Sequence, residues 1–526
     1  MLIEIHMIQN HSPSNLNRDD LGAPKTCLFG GVTRARISSQ CLKRSIRNPG
    51  NADTVHNREP GEFAEAMGEH VATRSKFFPD RVKAALEQIG EANGIPKDDF
   101  PKLVQSAAKI TQKKDKKQTG SKDDDDDDDV LDDRSKTSQL VFFERLEAER
   151  MVRILGARKK EDKRQYDKFL NWKWGKEKGD GHAADTKGGS TGESKAKKEK
   201  ADFLTRLRAA YGRGAVDIAL FGRMTTSEAF EDVKAAVQVA HAISTHAVVN
   251  EVDYWTAVDD LGKSQASGHL GEAMFNSACF YKYFCLDWAQ LVSNLAGPEP
   301  DEKKDAAAHK KWKDEIKPEA ERLAACTLGY FIRAAALTTP SGKQNSFAAN
   351  NEPCAILVEI KTGPKIPTSY ANAFAEPARK IGDPPDDAPD CVSLIGRSIA
   401  QFGDHVYQLR NAYSIDSTLF WYALPLYRYP LQGWQREDDG RKAKVRIEKG
   451  EPTDKDKPPV QFATESFEAL DREEGKPSEE GKPREERKPR GLVQAVVDKL
   501  DLELHLGFKW SDVKDAGKAP AKEPSP

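Results

Sequence analysis

Seven consecutive aspartates, Asp123 to Asp129, restrict what this chain can fold into more than any other stretch. Like charges at that density repel one another too strongly to enter a packed interior. Any core must therefore be assembled from segments on either side, with Gln112 to Asp133 (QKKDKKQTGSKDDDDDDDVLDD) expected as a disordered loop that projects outward. A calcium-loop reading of the acidic run fails, because it lacks the interspersed glycine and the closing glutamate that such a loop needs. The chain's 526 residues can bury a sizeable core, but 32% of them are charged and mean hydropathy is -0.70. One core carrying large polar insertions fits these values better than several equal domains. Gly179 to Lys200 reads as a Gly/Ser/Lys linker, and the Lys/Glu/Pro-rich chain after Trp434 is disordered by composition.

Positive charge is concentrated in one place. Between His11 and Arg47, the residues Arg18, Lys25, Arg34, Arg36, Lys43, Arg44 and Arg47 stand against only Asp19 and Asp20, in a chain of net charge -2. Phe29-Gly30-Gly31 supplies backbone that can take positive φ and approach a ligand closely. From Ser38 a helical pattern begins in which Leu42 and Ile46 stand four apart, so Lys43, Arg44 and Arg47 fall on the opposite side. The free N–H groups of such a first turn, flanked by cations, suit phosphate oxygens. A solvated surface helix is the plainer reading of the charge run alone. The glycine pair and the upstream cations argue instead for a polyanion site.

Leu2 to Gln9 reads as a first strand, and the basic helix follows it. Helical patterns cover Glu62 to Lys76, Pro79 to Ala92 and Phe100 to Lys109, the makings of a helical insertion. Gln139 to Leu155 has helical period or crosses from strand to helix. Trp172 and Trp174, interleaved with lysine, could stack bases, although an anchor at the edge of the insertion is the favoured reading. Ala215 to Met224 is expected as an apolar strand ended by Gly222, with a helix over Glu228 to His241 and a strand over His246 to Val249. Two strand-helix units predict an α+β fold of ferredoxin-like or RNA-recognition-motif-like layout.

Asn250 to Leu270, with Gly262 and Ser264 at its centre, suggests a projecting β-hairpin. Gly271 to Leu291 is a long strand passing into a helix, Ala306 to Arg322 is polar and peripheral, and Leu323 to Leu337 is a buried helix. Gly342-Lys343-Gln344-Asn345 sets one cation and two amides on a turn before the strand Pro353 to Lys361, a turn able to track phosphates and sugars. A helix over Val392 to Arg410 and the aromatic run Phe420 to Pro430 complete the core. Gly491 to Leu504 reads as an amphipathic helix that docks on the core or on a partner.

Cys27, Cys41, Cys279, Cys285, Cys326, Cys354 and Cys391 form no CxxC pair and no metal-ligand spacing. They read as buried thiols of a reducing cytoplasm. No apolar run approaches the roughly 18 residues of a membrane span, and Met1-Leu2-Ile3-Glu4 lacks a secretion-signal layout. A soluble, cytoplasmic protein is expected.

The run NHSPSNLNRDDLGAPKTCLFGG with RARISSQCLKRSIR resembles the N-terminus of the CasC backbone subunits of Cascade, the type I-E CRISPR surveillance complex. Further collinear resemblances are AVDIALFGRMTTS, AHAISTHAV, DYWTAVDDL, GHLGEAMFNSACFYKY and GKQNSFAAN. The resemblance implies an RNA-recognition-motif-like palm over 1-50 and 202-430, with a thumb hairpin at 250-270. Residues 51-201 would form helical fingers, with an acidic loop at 112-136 and a linker at 175-201, and 431-526 a largely disordered extension.

It also implies a non-catalytic scaffold for antiviral defence, without metal or cofactor. Several copies would polymerise as a helical ribonucleoprotein filament along the guide (CRISPR) RNA. They would present it in segments to target DNA together with other Cascade subunits. RNA contacts would come from Arg18, Lys25, Arg34, Arg36, Ser38, Gln40, Lys43, Arg44, Arg47, Lys343, Gln344 and Asn345. Met224, Trp255, Thr256 and Leu270 would wedge the bases apart. Unstacking a base costs a few kcal/mol, which contacts of about 1–3 kcal/mol per base offset. The family carries more positive charge directly after the glycine pair, where this chain has Val32 and Thr33, so contacts from those two positions are not expected. The alternative is a type III-like subunit in which Asp19 or Asp20 supports metal-dependent RNA cleavage. Pairing of the two aspartates with Arg18 or Arg34, to organise the loop, is the expected role.

Overall fold

The computed structural model describes residues 1-47, 63, 67, 70-110, 141-143, 145-171, 215-225, 230-258, 267-379, 393-424, 435-438, 443-446, 462-464 and 492-504. The acidic loop, the linker, Trp172, Trp174, Gly262, Ser264 and Cys391 lie outside them. In chain order the strands are β1 (Leu2–Ser14), β2 (Thr26–Phe29), β3 (Val32–Ile37), β4 (Thr73–Ser75), β5 (Val141–Phe143), β6 (Val237–Val239), β7 (Ala242–Ser244), β8 (Glu251–Val258), β9 (Ser267–Asp287), β10 (Ala355–Lys361), β11 (Thr418–Ala423), β12 (Gln435–Asp438), β13 (Ala443–Arg446) and β14 (Phe462–Thr464). The helices are α1 (Ser39–Arg47), α2 (Phe78–Ala85), α3 (Phe100–Ile110), α4 (Arg145–Glu161), α5 (Lys163–Leu170), α6 (Val216–Phe221), α7 (Trp288–Ala296), α8 (Ala306–Lys311), α9 (Lys317–Leu337), α10 (Gln344–Phe347), α11 (Leu394–Tyr413) and α12 (Leu492–Leu504).

Two compact units divide the chain. The first comprises Met1–Gly68, Ala236–Val292 and Glu299–Pro526, the second Glu69–Ala235 and Ser293–Pro298. The first is organised around a mixed sheet that has ten strands among the described residues, in the order β14-β11-β10-β1-β9-β7-β3-β2 with β6 and β8 also paired to β9. All pairings are antiparallel except β11 with β14. β1 lies centrally, Ile5 opposite Val358 on one side and opposite Phe284 on the other. It is buried on both faces, so its polar Glu4, His6, Gln9 and His11 lie in the interior beside Ile3, Ile5, Met7 and Ile8. Leu2 and Ile8 join Tyr281, Leu357, Phe402 and Val406 under α11. The opposite face meets α9, where the Phe284 and Phe331 rings stand 5.5 Å apart edge to face.

The α11 face contains a buried ionic network. Glu4 Oε2 meets Lys361 Nζ at 2.5 Å and Glu359 Oε1 meets Arg410 Nη1 at 2.8 Å. Tyr283 donates to Glu4 at 2.6 Å and Tyr370 to Glu359 at 2.8 Å. Glu4, His6 and Glu359 bring ligand atoms close enough for a metal ion. Each carboxylate is already matched by a cation, so the cluster is built as a structural network.

The second unit has its own core, in which Phe78, Val82, Leu103, Met151, Leu155 and Phe169 are buried. Arg223 Nη1 pairs with Glu147 Oε1 at 3.1 Å within it. The region read as helical from Glu62 to Lys76 contains β4, and Gln139 to Leu155 crosses from strand to helix.

Three expectations fail around Ala215. Within Ala215 to Met224, Val216–Phe221 forms helix α6, not a strand. Its residues are buried on every side, with Asp217 accepting the Ala72 N–H at 2.8 Å, so neither a polar face nor a period separates helix from strand. The described part of Glu228 to His241 holds β6 and no helix. His246 to Val249 is not a strand, and β7 stops at Ser244 because side chains take over the bonding. Ser244 Oγ donates to the His246 carbonyl at 2.6 Å, and His246 Nε2 accepts the Cys279 N–H at 3.1 Å.

Within 431-526, β12 to β14 and α12 are formed. α12 packs on α9 and β11, burying Leu492, Val496, Val497 and Leu500. Four of the described cysteines are buried, whereas Cys27 and Cys41 are only half-buried.

Candidate nucleic-acid interface

Beyond β1 the chain turns through a loop whose shape comes from its own polar groups. Asn15 Nδ2 donates to the carbonyls of Gly22 and Met274 at 2.9 and 2.8 Å. The Asp19 carboxylate accepts the N–H groups of Leu21 and Ala23 at 3.0 and 2.9 Å. Asp19 thus organises the loop through backbone donors, as turn aspartates do, and not by the expected pairing with arginine. A shallow cleft of about 520 Å³ lies here, lined by Leu16, Asn17, Arg18, Asp19, Asp20, Gly22 and Gly342. A Cβ on Gly342 would stand 2.5 Å from the Leu16 carbonyl oxygen, so only glycine lets the 341-350 segment lie against the loop. Lys343 and Ala348, flanking α10, both hold φ 47°, a left-handed conformation rare outside glycine and asparagine.

The β2–β3 hairpin turns on Gly30 and Gly31, at φ 61° and 75°. A side chain on Gly30 would collide with the Ala375 carbonyl oxygen. Arg34 is fully buried beside this turn. Its Nε donates to Phe29 O at 3.1 Å, Nη1 to Ser244 O at 3.2 Å and Nη2 to Phe374 O at 2.7 Å. The guanidinium is therefore a staple between three segments and is turned away from solvent. Arg36, two residues on, is half-buried. Its Nε donates to Thr26 O at 3.2 Å and its Nη1 lies 3.0 Å from His241 Nδ1.

Helix α1 is tied to the loop at its start. Asn17 Oδ1 accepts the Ser38 N–H at 2.9 Å, and Ser38 Oγ caps Cys41 N at 3.3 Å. Leu42 and Ile46 are buried, Leu42 in a cluster with Leu16, Ala35, Ile37, Ala242 and Phe280. Arg44 is exposed, while Lys43 and Arg47 are half-buried.

The predicted contact residues fall into three groups. Arg18, Gln40, Arg44 and Asn345 are exposed, and Lys25, Arg36, Lys43, Arg47 and Lys343 are half-buried. Arg34, Ser38 and Gln344 are buried, the last donating to Pro340 O at 3.0 Å. Of the predicted wedge residues, Trp255, Thr256 and Leu270 lie on the β8–β9 hairpin, Thr256 directly opposite Leu270. Leu270 is 65% exposed and Trp255 47%. The Trp255 indole lies against Gly271, where a Cβ would collide with it. Met224 is 91% exposed and belongs to the second unit. Sequence reasoning passed over Tyr254, 67% exposed on the same hairpin, which strand alternation sets on the face of Thr256 and Leu270. It also passed over His241. Only its two-residue offset from the register partner of Arg36 could have flagged it, and that register is tertiary.

Fold and surface together define an α+β protein that presents cations from a loop, a hairpin strand and a helix fastened to one another. The profile of the CT1975-like protein family matches residues 3–425, and the chain belongs to that family. Among solved structures it is similar to a chain titled "CRISPR RNA-guided surveillance complex, pre-nicking", at 25% identity and TM-score 0.52, covering 80% of this chain and 92% of that one. A chain titled "CRISPR RNA-guided surveillance complex" aligns at 20% identity and TM-score 0.39, over 80% and 89% of the two chains. No curated protein matches. No helix among the described residues is long and apolar enough to cross a membrane.

Proposed function

We propose that this protein is a non-catalytic backbone subunit of a CRISPR RNA-guided surveillance complex of Cascade type, working in the cytoplasm. Family membership and the 25%-identical surveillance-complex chain support the class. The observation that carries the reading is the joining of the Arg18 loop, the Arg36 strand and the Lys43–Arg44 helix by the Asn17–Ser38 bond and by Arg36 N–H donating to Lys25 O at 2.9 Å. Cations held on three mutually braced segments can follow a sugar-phosphate chain without reading bases. Sequence recognition is then left to pairing between guide and target DNA.

Several copies would assemble head to tail into an open filament, the outcome of a heterologous interface that does not close. In it, an RNA-recognition-motif-like palm carries the guide. The β8–β9 hairpin acts as a thumb that clamps the guide held by a neighbour, with Leu270, Thr256 and Trp255 parting its bases. Expression together with a guide and purification should yield several copies on one discrete small RNA. A Lys43→Ala, Arg44→Ala, Arg47→Ala variant that loads guide as tightly as the parent at moderate ionic strength would overturn the reading.

A further inference from the structure

The Arg36–His241 pair has an unusual chemistry for a cationic surface. An arginine N–H only donates, so at 3.0 Å the His241 Nδ1 must accept, and the ring is neutral with its proton on Nε2. His241 is exposed just ahead of β7, and Arg36 pairs with Ile243 across the β3–β7 ladder, which sets both side chains on one face as diagonal neighbours. The charged groups bearing on the imidazole are Arg36 from β3 and Lys25 from the loop before β2. Partial burial first, then these two cations, hold its pKa below the usual histidine value.

We propose that His241 is a further phosphate contact for the guide, and that an RNA strand laid across Lys25 and Arg36 binds together with a proton taken up from solvent by this imidazole. The inference rests on the reading of this surface as a guide-RNA site. A phosphate neutralises the two cations that keep the ring uncharged. Once protonated, Nδ1 becomes a donor and can no longer accept from Arg36, so the Arg36–His241 bond opens. Both side chains then present N–H groups to the anion, which adds one charge-assisted contact and releases another. In the free protein the same bond holds Arg36 in place, its Nε already fixed on Thr26 O. The pair is thus a latch that RNA and a proton open together.

The test measures binding of a labelled single-stranded RNA homopolymer to the full chain from about pH 5.5 to about pH 8, where histidine is the titrating side chain. For the parent, affinity should rise as pH falls, by up to about tenfold per pH unit for each coupled proton. His241→Gln keeps an acceptor for Arg36 but cannot charge. It should bind like the parent near pH 8 and lose most of the rise below pH 7. Lys43→Ala with Arg44→Ala should weaken binding at every pH while leaving the rise in place. A parent affinity independent of pH, or a rise that survives in His241→Gln, overturns the proposal and leaves the backbone reading standing. Absence of RNA binding at any pH overturns both.

Discussion

Two charged regions of the first unit sit within one fold and work by opposite rules. Under α11, Glu4 and Glu359 face Lys361 and Arg410 in a dry, charge-matched network. Around the loop, β3 and α1, cations predominate and, Arg34 apart, stand half-buried or exposed. Arg36 is bonded there to a carbonyl oxygen and a neutral imidazole, with no carboxylate in that set. Ion pairs removed from water must be complete, because an unmatched buried charge is strongly penalised. Cations at the surface carry no such requirement, and under the proposed function their summed field would attract the guide's phosphates. Arg34 and Arg36 draw the contrast at its smallest scale. Two residues apart on one strand, the first spends its N–H groups on carbonyls inside the fold and the second keeps its head at the surface.

The largest effect should come from breaking the matched region. Lys361→Met leaves Glu4 without its cation and should lower unfolding free energy by about 3–5 kcal/mol in denaturant titrations. Adding Glu4→Gln should recover part of that loss, and no recovery would mean that the pair is not coupled. Gly30→Ala introduces a Cβ into the Ala375 carbonyl at a positive φ. It should destabilise by more than the ~1–2 kcal/mol that a left-handed conformation alone costs a residue with a Cβ. Arg34→Lys should cost about 1–3 kcal/mol of stability by leaving carbonyls unpaired, while the salt dependence of RNA binding stays as in the parent.

In the wet region the pattern reverses. Neutralising Lys43, Arg44 and Arg47 should reduce the slope of log affinity against log salt by about 2 for single-stranded RNA. Thermal stability should stay close to that of the parent. An unchanged slope in this variant, or a reduced one in Arg34→Lys, would exchange the roles of the two regions.

A last effect appears only in acid. Burial lowers the His11 pKa to about 3, below its unfolded value near 6.5. The unfolded chain therefore binds the extra proton between those limits. Stability contributed by the neutral ring is complete above about pH 6.5 and declines as pH falls toward 3. His11→Gln should flatten that part of the stability curve, as read by chemical denaturation at several pH values.

Much of this architecture was legible because it is written in local period. β1, the inner part of the long β9, the buried part of α9 and the two-sided α1 each carry a pattern that backbone geometry turns directly into a buried face, whereas the exposed β8–β9 hairpin was legible from the Gly and Ser of its turn. The cation-rich loop and helix were visible for the same reason, since charge density is a property of neighbours in sequence. Short buried segments carry no such signal, and α6 therefore read as a strand.

What the sequence determined by itself is which stretches would seek the interior and where positive charge would accumulate. What tertiary structure decided is the fate of each charged side chain. Arg34 is drawn into the interior by carbonyls of Ser244 and Phe374, 210 and 340 residues further along. His241 is brought to Arg36 by the pairing of β3 with β7. α12 is docked on α9 from beyond a long polar tract. Hydrophobic period acts between residues a turn apart, whereas hydrogen bonding of a long polar side chain is settled by whichever partner the finished fold delivers within about 3 Å.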